Sequence, residues 1–369
     1  MPNCSSDQIE LILGNSNRRF SGVTSTMLQV LEHQKKLISV AVLGKHHLPK
    51  DATALTFSKA LKLCNSPLPD DKSRIFHARR NREALHALVL KKLSRTQIKI
   101  AFTSTAQRHH SWITRWILRK ADAVLTTSSA ANAYIKGGAD LICPHGVDLK
   151  RYYPSENRSA LWKKLGFPGK YGIGIFGRVR HQKGIDVLID ASIPLLSKYP
   201  DFTVVICGET TPAYAKYLQE LKSKISAAGL ENRFVFLGER PFSELPELFR
   251  AMHLVAALSR NEGFGLTVLE AMASGTAVLA SETGAWKDIV RPGTTGFIVP
   301  CGNVEATQES LETLLNDIGF LESLGKNGRH LAETQHTLEH EAKTITEFFR
   351  SLQTPDSVNG DQSPRKQRT

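Results

Sequence analysis

The stretch YGIGIFGRVRHQKGIDVLI, residues 171–189, indicates the fold class of this 369-residue chain. Its first part mixes glycine with apolar side chains and predicts a buried strand over 172–176. A basic loop with glycines at both ends follows, and the apolar spacing of Ile185, Leu188 and Ile189 then predicts a helix. A strand, a short loop and a helix in this order are typical of an α/β fold with a parallel sheet.

The same alternation runs through the rest of the chain. After residue 150 we predict further strands over 203–207, 234–237, 254–258, 277–280 and 296–299, separated by helix-length segments such as 184–197 and 213–228. Before residue 150, shorter runs rich in Ile and Val predict strands over 9–13, 37–43, 74–78, 98–103, 122–127 and 140–144. Strands that alternate with helices this often indicate two parallel sheets, each covered on both faces.

Chain length and turn residues predict the domain organisation. A chain of 369 residues exceeds the size at which one hydrophobic core stops growing, so we expect two domains. Pro144-His145-Gly146-Val147-Asp148 and Tyr153-Pro154 interrupt regular structure between the halves. We therefore predict domains over 1–150 and 151–335 and a C-terminal helix over 336–352. The polar segment 353–369 has almost no apolar residues and should be disordered.

Composition excludes several classes of protein. With 41% apolar and 22% charged residues, the chain is neither fibrous nor wholly disordered. Its five cysteines lie 60 or more residues apart and include no CxxC pair, which is typical of reduced thiols in a cytosol. The N-terminus lacks the features of a signal peptide, and no run of ~18 apolar residues predicts a transmembrane helix. We therefore expect a cytoplasmic protein.

The positive charge is confined to the first part of the chain. Residues 1–150 contain 23 lysines and arginines against 10 aspartates and glutamates, whereas the remaining residues contain 25 of each. An evenly solvated surface would not separate charge in this way. The N-terminal domain should therefore meet an anionic partner, which composition leaves open as nucleic acid, acidic lipid or a phosphorylated acceptor.

The basic loop 177–184 is a candidate phosphate site. Gly177 and Gly184 would let the backbone approach a phosphate closely, and Arg178 and Lys183 would neutralise a diphosphate. One alternative is that these cations are simply solvated. Another is dinucleotide binding, because residues 172–177 match GxGxxG and Glu209 ends the next predicted strand. We disfavour the dinucleotide alternative because these glycines belong to the predicted strand and not to the turn after it.

A second candidate site is SRNEGFGLTVLEAMASG, residues 259–275. Apolar spacing predicts a helix from near Gly265 to near Gly275, with Glu262 in the preceding loop and Glu270 one turn inside. Carboxylates accept hydrogen bonds from neighbouring hydroxyls, so we predict that Glu262 binds a sugar and Glu270 a ribose. The start of the helix offers amides to a diphosphate. The predicted loop contacts are Gly263, Phe264, Gly265, Leu266 and Thr267.

Glu270 also has a structural alternative. Thr267-Val-Leu-Glu270 matches a capping box, in which the glutamate would only satisfy backbone donors at the helix start. This alternative accounts for Glu270 but not for Glu262 or the glycines between them.

Together these motifs resemble the retaining glycosyltransferases of family 4. The resemblance rests on Glu262 and Glu270 within EGFGLTVLEA, on Gly177-Arg178 and Lys183-Gly184, and on PHGVD at 144–148, which is similar to the PNGVD segment of that family. It covers about residues 9–350 and includes Ser21-Gly22-Val23 in the first loop. The run RRFSGVTST, residues 18–26, is most similar to the bacterial lipopolysaccharide core mannosyltransferases.

The resemblance implies a GT-B fold, in which two Rossmann-like domains face each other across a cleft that binds the donor. It implies that Arg178 and Lys183 bind the diphosphate, Glu262 the donor sugar and Glu270 the ribose, with Gly22 closing over the phosphates. Glu262, Arg178 and Lys183 would be the catalytic residues. The implied reaction moves a sugar, by preference mannose from GDP-mannose, to a lipid-anchored lipopolysaccharide core, with the acceptor bound by the first domain.

This chain lacks a histidine that many relatives have, and it also lacks a common metal-binding pair. Many relatives have a histidine after the strand that corresponds to 98–103, where this chain has Thr103-Ser104. His109 and His110 follow and are candidates for the sugar contact, with solvated histidines at a helix start as the alternative. No Asp-x-Asp pair occurs in the sequence, so we expect no metal and no other cofactor, and stabilisation of the leaving diphosphate by Arg178, Lys183 and helix amides. Retention at the anomeric carbon is implied by the resemblance alone.

The basic half contains a candidate membrane surface. Arg108, Trp112, Arg115 and Arg119 share one predicted helix face, with Trp116 beside it. Further cations flank a second apolar helix over 84–93, at Arg79, Arg80, Arg82, Lys91, Lys92 and Arg95. We predict that this region contacts an anionic membrane or a lipid-linked anionic glycan, which would place the enzyme peripherally on the inner membrane. The alternative is that the tryptophans are core residues and the cations are solvated.

Two other functions remain as rivals. A nucleotide-sugar epimerase of the same fold would bind diphosphate and sugar but would need no acceptor. A nucleic-acid-binding protein would explain the basic half but would leave Glu262 and Glu270 without a role, so we expect no nucleic-acid partner.

Overall fold

The structure is a computed structural model that describes residues 8–18 and 21–354. It divides the chain into two units. The first comprises Met1–His145 and Leu338–Thr369, and the second comprises Gly146–Thr337. The disordered tail was predicted from residue 353, which is wrong for Gln353, because this residue ends the last described helix and is buried. From position 355 onward the predicted tail lies outside the described residues. None of the described helices is long and apolar enough to cross a membrane.

The first unit contains a parallel sheet. Its described strands are β1 (Leu11–Gly14), β2 (Val40–Leu43), β3 (Ala54–Leu55), β4 (Arg74–Ala78), β5 (Ile98–Ser104), β6 (Ala123–Thr126) and β7 (Leu141–Ile142). They lie side by side in the order β3-β2-β1-β4-β5-β6-β7. Helices connect them along the chain: α1 (Gly22–Gln34), α2 (Phe57–Leu63), α3 (Asn81–Leu93), α4 (Trp112–Lys120) and α5 (Ser129–Asn132).

The second unit repeats this architecture. Its described strands are β8 (Tyr171–Phe176), β9 (Phe202–Cys207), β10 (Phe234–Gly238), β11 (Leu254–Ala257), β12 (Ala277–Ser281) and β13 (Gly296–Val299). They lie in the order β10-β9-β8-β11-β12-β13, again all parallel. The helices are α6 (Arg158–Lys164), α7 (Ile185–Leu196), α8 (Ala215–Ala227), α9 (Leu245–Ala251), α10 (Thr267–Ala273), α11 (Trp286–Ile289), α12 (Val304–Asn316) and α13 (Ile318–Gln335).

The last helix, α14 (Leu338–Gln353), belongs to the first unit. Its Ile345 and Phe349 are buried in one cluster with Leu11 and Leu13 of β1 and Met27 of α1. The predicted domains treated this helix as a separate element and placed the boundary at residue 150. In the structure the chain divides after His145 and again after Thr337, because the apolar face of α14 needs the cover that β1 and α1 provide.

The strand order of the second unit decides where its loops meet. From β8 the chain first adds β9 and β10 on one side, and it then returns to place β11 on the other side. At such a reversal the loops after the two central strands diverge and leave a crevice at the carboxyl edge of the sheet. The loops after β8 and β11 contain the two motifs that the sequence singled out.

Candidate functional site

The glycines of β8 serve packing inside the unit. A Cβ atom added at Gly172 would lie 2.3 Å from the ring of Trp162, and one at Gly174 would lie 2.7 Å from Met252. Both glycines are therefore required inside the strand and not in a turn that approaches a cofactor. The match of residues 172–177 to GxGxxG therefore does not support dinucleotide binding.

Gly184 brings the loop after β8 against the end of β11. Its backbone has φ +67°, and an added Cβ would lie 2.1 Å from the carbonyl oxygen of Leu258. Only glycine tolerates both the left-handed conformation and this contact. Within the same loop the side chain of Lys183 lies over Gly177, 3.2 Å from where a Cβ would stand. The two candidate motifs are thus neighbours in space.

Lys183 and Glu262 form the centre of the site. The ammonium Nζ of Lys183 lies 2.5 Å from Oε2 of Glu262, and the two side chains are only 18% and 21% exposed. The hydroxyl of Ser259 donates to the same carboxylate at 3.3 Å. The amide of Glu262 donates to the hydroxyl of Thr283 at 3.2 Å, which fixes the loop after β11.

Arg178 has a different acidic partner. Its Nε lies 3.2 Å from Oε2 of Glu209, which follows β9, and both side chains are well exposed. The amide of Val179 donates to the carbonyl of Glu209 at 2.9 Å, so backbone pairing supports the approach. From the sequence, Glu209 was considered only as a ribose ligand in the dinucleotide interpretation, which the packing of β8 does not support.

The loop Gly263–Leu266 is held by residues that the sequence did not single out. The indole nitrogen of Trp286 donates to the carbonyl of Gly265 at 2.8 Å. The amide of Ala285 donates to the carbonyl of Phe264 at 3.0 Å, and Phe264 itself is buried. Gly265 has φ +84°, and an added Cβ would meet the indole of Trp286 at 2.4 Å. These hydrogen bonds and this packing fix the backbone of Phe264 and Gly265, whereas their contact with a ligand stays a prediction.

Glu270 does not form a capping box. Helix α10 begins at Thr267 after Leu266, and no side chain caps its start. The Glu270 carboxylate instead accepts a hydrogen bond from the hydroxyl of Tyr152 at 3.0 Å. Burial raises the pKa of Glu270 to about 7, although this hydrogen bond and the charge of Arg151 act in the opposite direction. The structural alternative for Glu270 is wrong, and a partly buried carboxylate without a structural role at the helix start remains.

Arg260 links the two loops through contacts of its own. Its guanidinium donates to both carboxylate oxygens of Asp186 at 2.9 and 2.7 Å, and its amide donates to the carbonyl of Gln182 at 2.8 Å. Asp186 also accepts from the hydroxyl of Tyr217 at 3.0 Å. Arg260 lies inside the quoted motif, but no spacing in the sequence identifies this pairing because Asp186 is 74 residues away.

In the first unit, a buried glutamate organises the loops after β1 and β4. Glu83 accepts hydrogen bonds from the amides of Arg79 and Arg80 at 2.9 and 3.1 Å and from the amide of Ser16 at 3.3 Å. Arg80 in turn donates to the hydroxyl of Ser21 at 2.9 Å. Gly22 follows as the first residue of α1, and its proposed contact with phosphates stays a prediction.

The two candidate histidines differ in environment. His110 is buried, with Nε2 2.9 Å from the hydroxyl of Ser104 and Nδ1 3.1 Å from the carbonyl of Tyr134. The carbonyl requires a proton on Nδ1, so Nε2 accepts from Ser104. Burial lowers the pKa of His110, which favours this neutral form. His109 is exposed. The alternative of a solvated histidine is thus wrong for His110, while a sugar contact by either residue stays a prediction.

The predicted membrane residues are at the surface. Trp112 is 70% exposed and Trp116 38%, and Arg108, Arg115 and Arg119 are also exposed. The predicted helix face is wrong for Arg108, because α4 begins at Trp112 after the cap Ser111. In α4 the buried residues are Ile117 and Leu118. The alternative that these tryptophans belong to the core is wrong.

Metal ligation was not expected from the sequence. Across residues 8–18 and 21–354, no three His, Cys, Asp or Glu side chains cluster in a way that could hold a metal ion. Metal independence of the reaction stays a prediction that needs a measurement.

Comparison with known proteins identifies the family to which this chain is similar. Residues 157–331 match the model of the family described as Glycosyl transferases group 1. Over 345 residues the chain is 39% identical to the lipopolysaccharide core biosynthesis mannosyltransferase LpcC of Rhizobium leguminosarum bv. viciae, which covers 93% of this chain and 97% of that protein.

Solved structures agree with the match. The C-terminal domain of a group 1 family glycosyl transferase (LpcC) from Francisella tularensis is 40% identical, with a TM-score of 0.51, over 52% of this chain and 99% of that one. The structure of Anabaena Alr3699/HepE in complex with UDP covers 93% of this chain and 100% of its own, with a TM-score of 0.78. At 21% identity this second likeness shows the fold alone, and it confirms the predicted pair of parallel-sheet α/β domains.

Proposed function

The chain belongs to the group 1 glycosyl transferases, and from that premise we propose that it transfers mannose from GDP-mannose to a lipid-anchored acceptor in the lipopolysaccharide core. Family membership makes it a hexosyltransferase of the GT-B fold class. The similar Rhizobium protein is a lipopolysaccharide core mannosyltransferase, which supports both the sugar and the acceptor class. The observation that carries the proposal is the pairing of Lys183 with Glu262 at 2.5 Å, where the loops after β8 and β11 meet.

The proposed reaction needs charge stabilisation at the leaving group. The bond between the anomeric carbon and the phosphate oxygen breaks, and the same carbon forms a bond to an acceptor hydroxyl oxygen on the same face. The departing phosphate oxygen takes the proton of that hydroxyl, and configuration is retained. Arg178, Lys183 and the amides at the start of α10 would stabilise the negative charge that develops on the diphosphate.

In this proposal the carboxylates of Glu262 and Glu270 bind the uncharged parts of the donor, which are the sugar and the ribose. Glu262 would accept hydrogen bonds from hydroxyls of the transferred sugar, next to the phosphate that Lys183 holds. Glu270 would accept from the ribose hydroxyls. Its hydrogen-bond partner in the structure suits this task, because that partner is the neutral hydroxyl of Tyr152.

A lipid-anchored acceptor is supported by the surface of α3 and α4. Residues 72–121 contain 13 lysines and arginines and a single acidic residue, the buried Glu83. The two helices are tied by a hydrogen bond from Asn81 to the hydroxyl of Thr114 at 2.9 Å. They expose large apolar side chains, which we term the docking residues: Leu85, Val89, Leu93, Trp112, Ile113 and Trp116.

The composition of this surface favours a membrane over nucleic acid. Aliphatic side chains such as Leu85 and Val89 cannot stack on bases, but they can enter the acyl boundary while cations contact anionic headgroups. We therefore propose that α3 and α4 dock on an anionic inner-membrane surface. Sedimentation with anionic vesicles tests this, and equal retention on neutral vesicles or tighter binding to random DNA would contradict it.

A transfer assay tests the reaction itself. Purified protein is incubated with GDP-mannose and a detergent-dispersed core glycolipid that lacks the added sugar, and products are followed by mass spectrometry and NMR. We expect an acceptor heavier by one hexose, with the donor's anomeric configuration kept and the rate unchanged in EDTA. UDP-glucose and UDP-N-acetylglucosamine serve as competing donors. An epimerised nucleotide sugar without any glycolipid product would establish the rival activity.

A further inference from the structure

The two cations assigned to the diphosphate are each held by a carboxylate. Lys183 is paired with Glu262 and Arg178 with Glu209. Resting on the proposed function, we propose that Glu209 and Glu262 set the affinity of the site for its donor by competing with the diphosphate for these cations. Glu262 further couples recognition of the sugar to binding of the diphosphate.

The coupling follows from the chemistry of Glu262. One of its carboxylate oxygens, Oε2, accepts from both Lys183 and Ser259. A diphosphate that takes over Lys183 leaves this oxygen without its cation, and a partly buried carboxylate then needs new donors. The hydroxyls of a sugar attached to that diphosphate can supply such donors. The sugar is therefore recognised best when the diphosphate is already in place.

Glu209 provides the competing charge on the other side of the loop. Arg178 and Lys183 belong to one loop, and the Lys183 side chain lies over Gly177, next to Arg178. An anion that binds both cations therefore competes with both carboxylates for positive charge. Glu209 has no hydroxyl ligand assigned to it, so its effect should be the same for a nucleoside diphosphate with or without a sugar.

The exchange does not require the loops to separate. Arg260 joins them independently through its bidentate pair with Asp186 and its amide bond to Gln182. Gln182 adds a hydrogen bond from Nε2 to the carbonyl of Asn261 at 2.7 Å. Four contacts therefore fix the positions of residues 182 and 260–261 whether Lys183 binds Glu262 or a phosphate.

A purely structural role of Glu262 predicts the opposite change in affinity for a diphosphate. If Glu262 were needed to hold Lys183 in place, its loss would weaken binding of any diphosphate. If the carboxylates compete with the ligand, their loss strengthens it. Affinity for a ligand without a sugar therefore separates the two roles.

The experiment measures dissociation constants of GDP, GDP-mannose and inorganic pyrophosphate by calorimetry on the full-length protein. The variants are Glu209→Gln, Glu262→Gln and, as a matched control, Glu282→Gln, which removes a carboxylate after β12 that pairs with Lys287. We expect Glu209→Gln to tighten all three ligands about threefold and Glu262→Gln to tighten GDP and pyrophosphate about tenfold, the less exposed pair having the larger effect. Glu262→Gln should not tighten GDP-mannose to that extent, because the sugar contacts are lost.

The outcomes are distinguishable. Wild-type protein that binds none of these ligands would overturn the donor proposal and this inference together. Wild-type binding with unchanged or weaker GDP affinity in both Gln variants would overturn the inference alone. An equal gain in Glu282→Gln would also overturn it, because the effect would then be general electrostatics. Thermal unfolding of each variant checks the fold, and Glu209→Gln lies on an exposed pair whose loss leaves the core intact.

Discussion

The carboxyl edge of the second unit and the α3–α4 surface of the first unit use charge in opposite ways. At the edge, cations lie close to carboxylates, as in the pair of Lys183 and Glu262, where both side chains are largely covered. On α3 and α4, exposed cations such as Arg82, Lys92 and Arg119 make no ion pair with any residue that the structure describes. Between them stand exposed side chains as large as Trp112.

The difference follows from the size of the ligand that each region would meet. A diphosphate is small, so a few fixed groups in a site of low dielectric constant can discriminate it. A membrane is extended and mobile, and affinity for it adds up from many cations and apolar side chains without fixed geometry. Paired charge at the edge and unpaired charge on α3 and α4 are what we expect if the proposed donor and the proposed membrane are the two partners.

The largest expected effect is on the rate of transfer, and it comes from the carboxyl edge of the second unit. Replacing Glu262 with Ala removes the proposed sugar contact while leaving the α3–α4 surface unchanged. We expect the initial rate of transfer to fall by at least about 100-fold, the range found when one preorganised hydrogen-bonding group is lost from an active site. The protein should still bind GDP and anionic vesicles. An active Glu262→Ala variant would exclude the sugar-binding role.

The strands of the second unit could be predicted from the sequence. Each of its strands lies within one residue of the predicted bounds, because buried parallel strands are apolar without interruption. The first unit was harder. Strand β2 begins at Val40 and not at residue 37, and β3 was missed because two residues at a sheet edge leave no pattern.

The site could be predicted only where its residues are close in sequence. Glu262 and Glu270 share one motif, and their loop and helix were predicted correctly. Tyr152, Thr283 and Trp286 reach the site from other elements, and Tyr152 lies 118 residues from the carboxylate it contacts. No spacing rule connects such residues, so only the strand order of the folded unit identifies them.

The second-largest expected effect is on membrane binding, and it comes from the docking residues of the first unit. Replacing Trp112 and Trp116 together with Ser should weaken binding to anionic vesicles roughly 100-fold, which corresponds to ~110 Å² of apolar surface no longer leaving water. The buried Ile117 and Leu118 remain, so the helix should stay folded. Affinity for GDP should not change.

The matched control for the tryptophans is Phe242→Ser, which removes an aromatic side chain of the second unit that is 45% exposed. If that variant lost as much vesicle binding, the membrane contact would not be specific to α3 and α4, and the contrast between the two regions would fail.

The smallest expected effect is on stability and concerns Glu270. An unfolded glutamate ionises near pH 4.3, whereas burial raises the pKa of Glu270 in the folded protein to about 7. Between these values the folded state binds more protons, so the free energy of unfolding falls as the pH rises through this window and is constant above it. Glu270→Gln has no such loss. We expect it to be more stable than wild type by about 1 kcal/mol at pH 8, below the roughly 4 kcal/mol of the full pKa difference because the side chain is partly solvated.

Denaturant unfolding at pH 4.5 and pH 8 measures this difference, with Glu220→Gln on the exposed face of α8 as the control for a lost surface charge. The gain for Glu270→Gln should vanish at the lower pH and should be absent from the control at both. A gain that is independent of pH would mean that the carboxylate is not strained by burial. A carboxylate that costs stability at physiological pH is expected to be kept for a ligand, and affinity for GDP should then fall in Glu270→Gln while the protein becomes more stable.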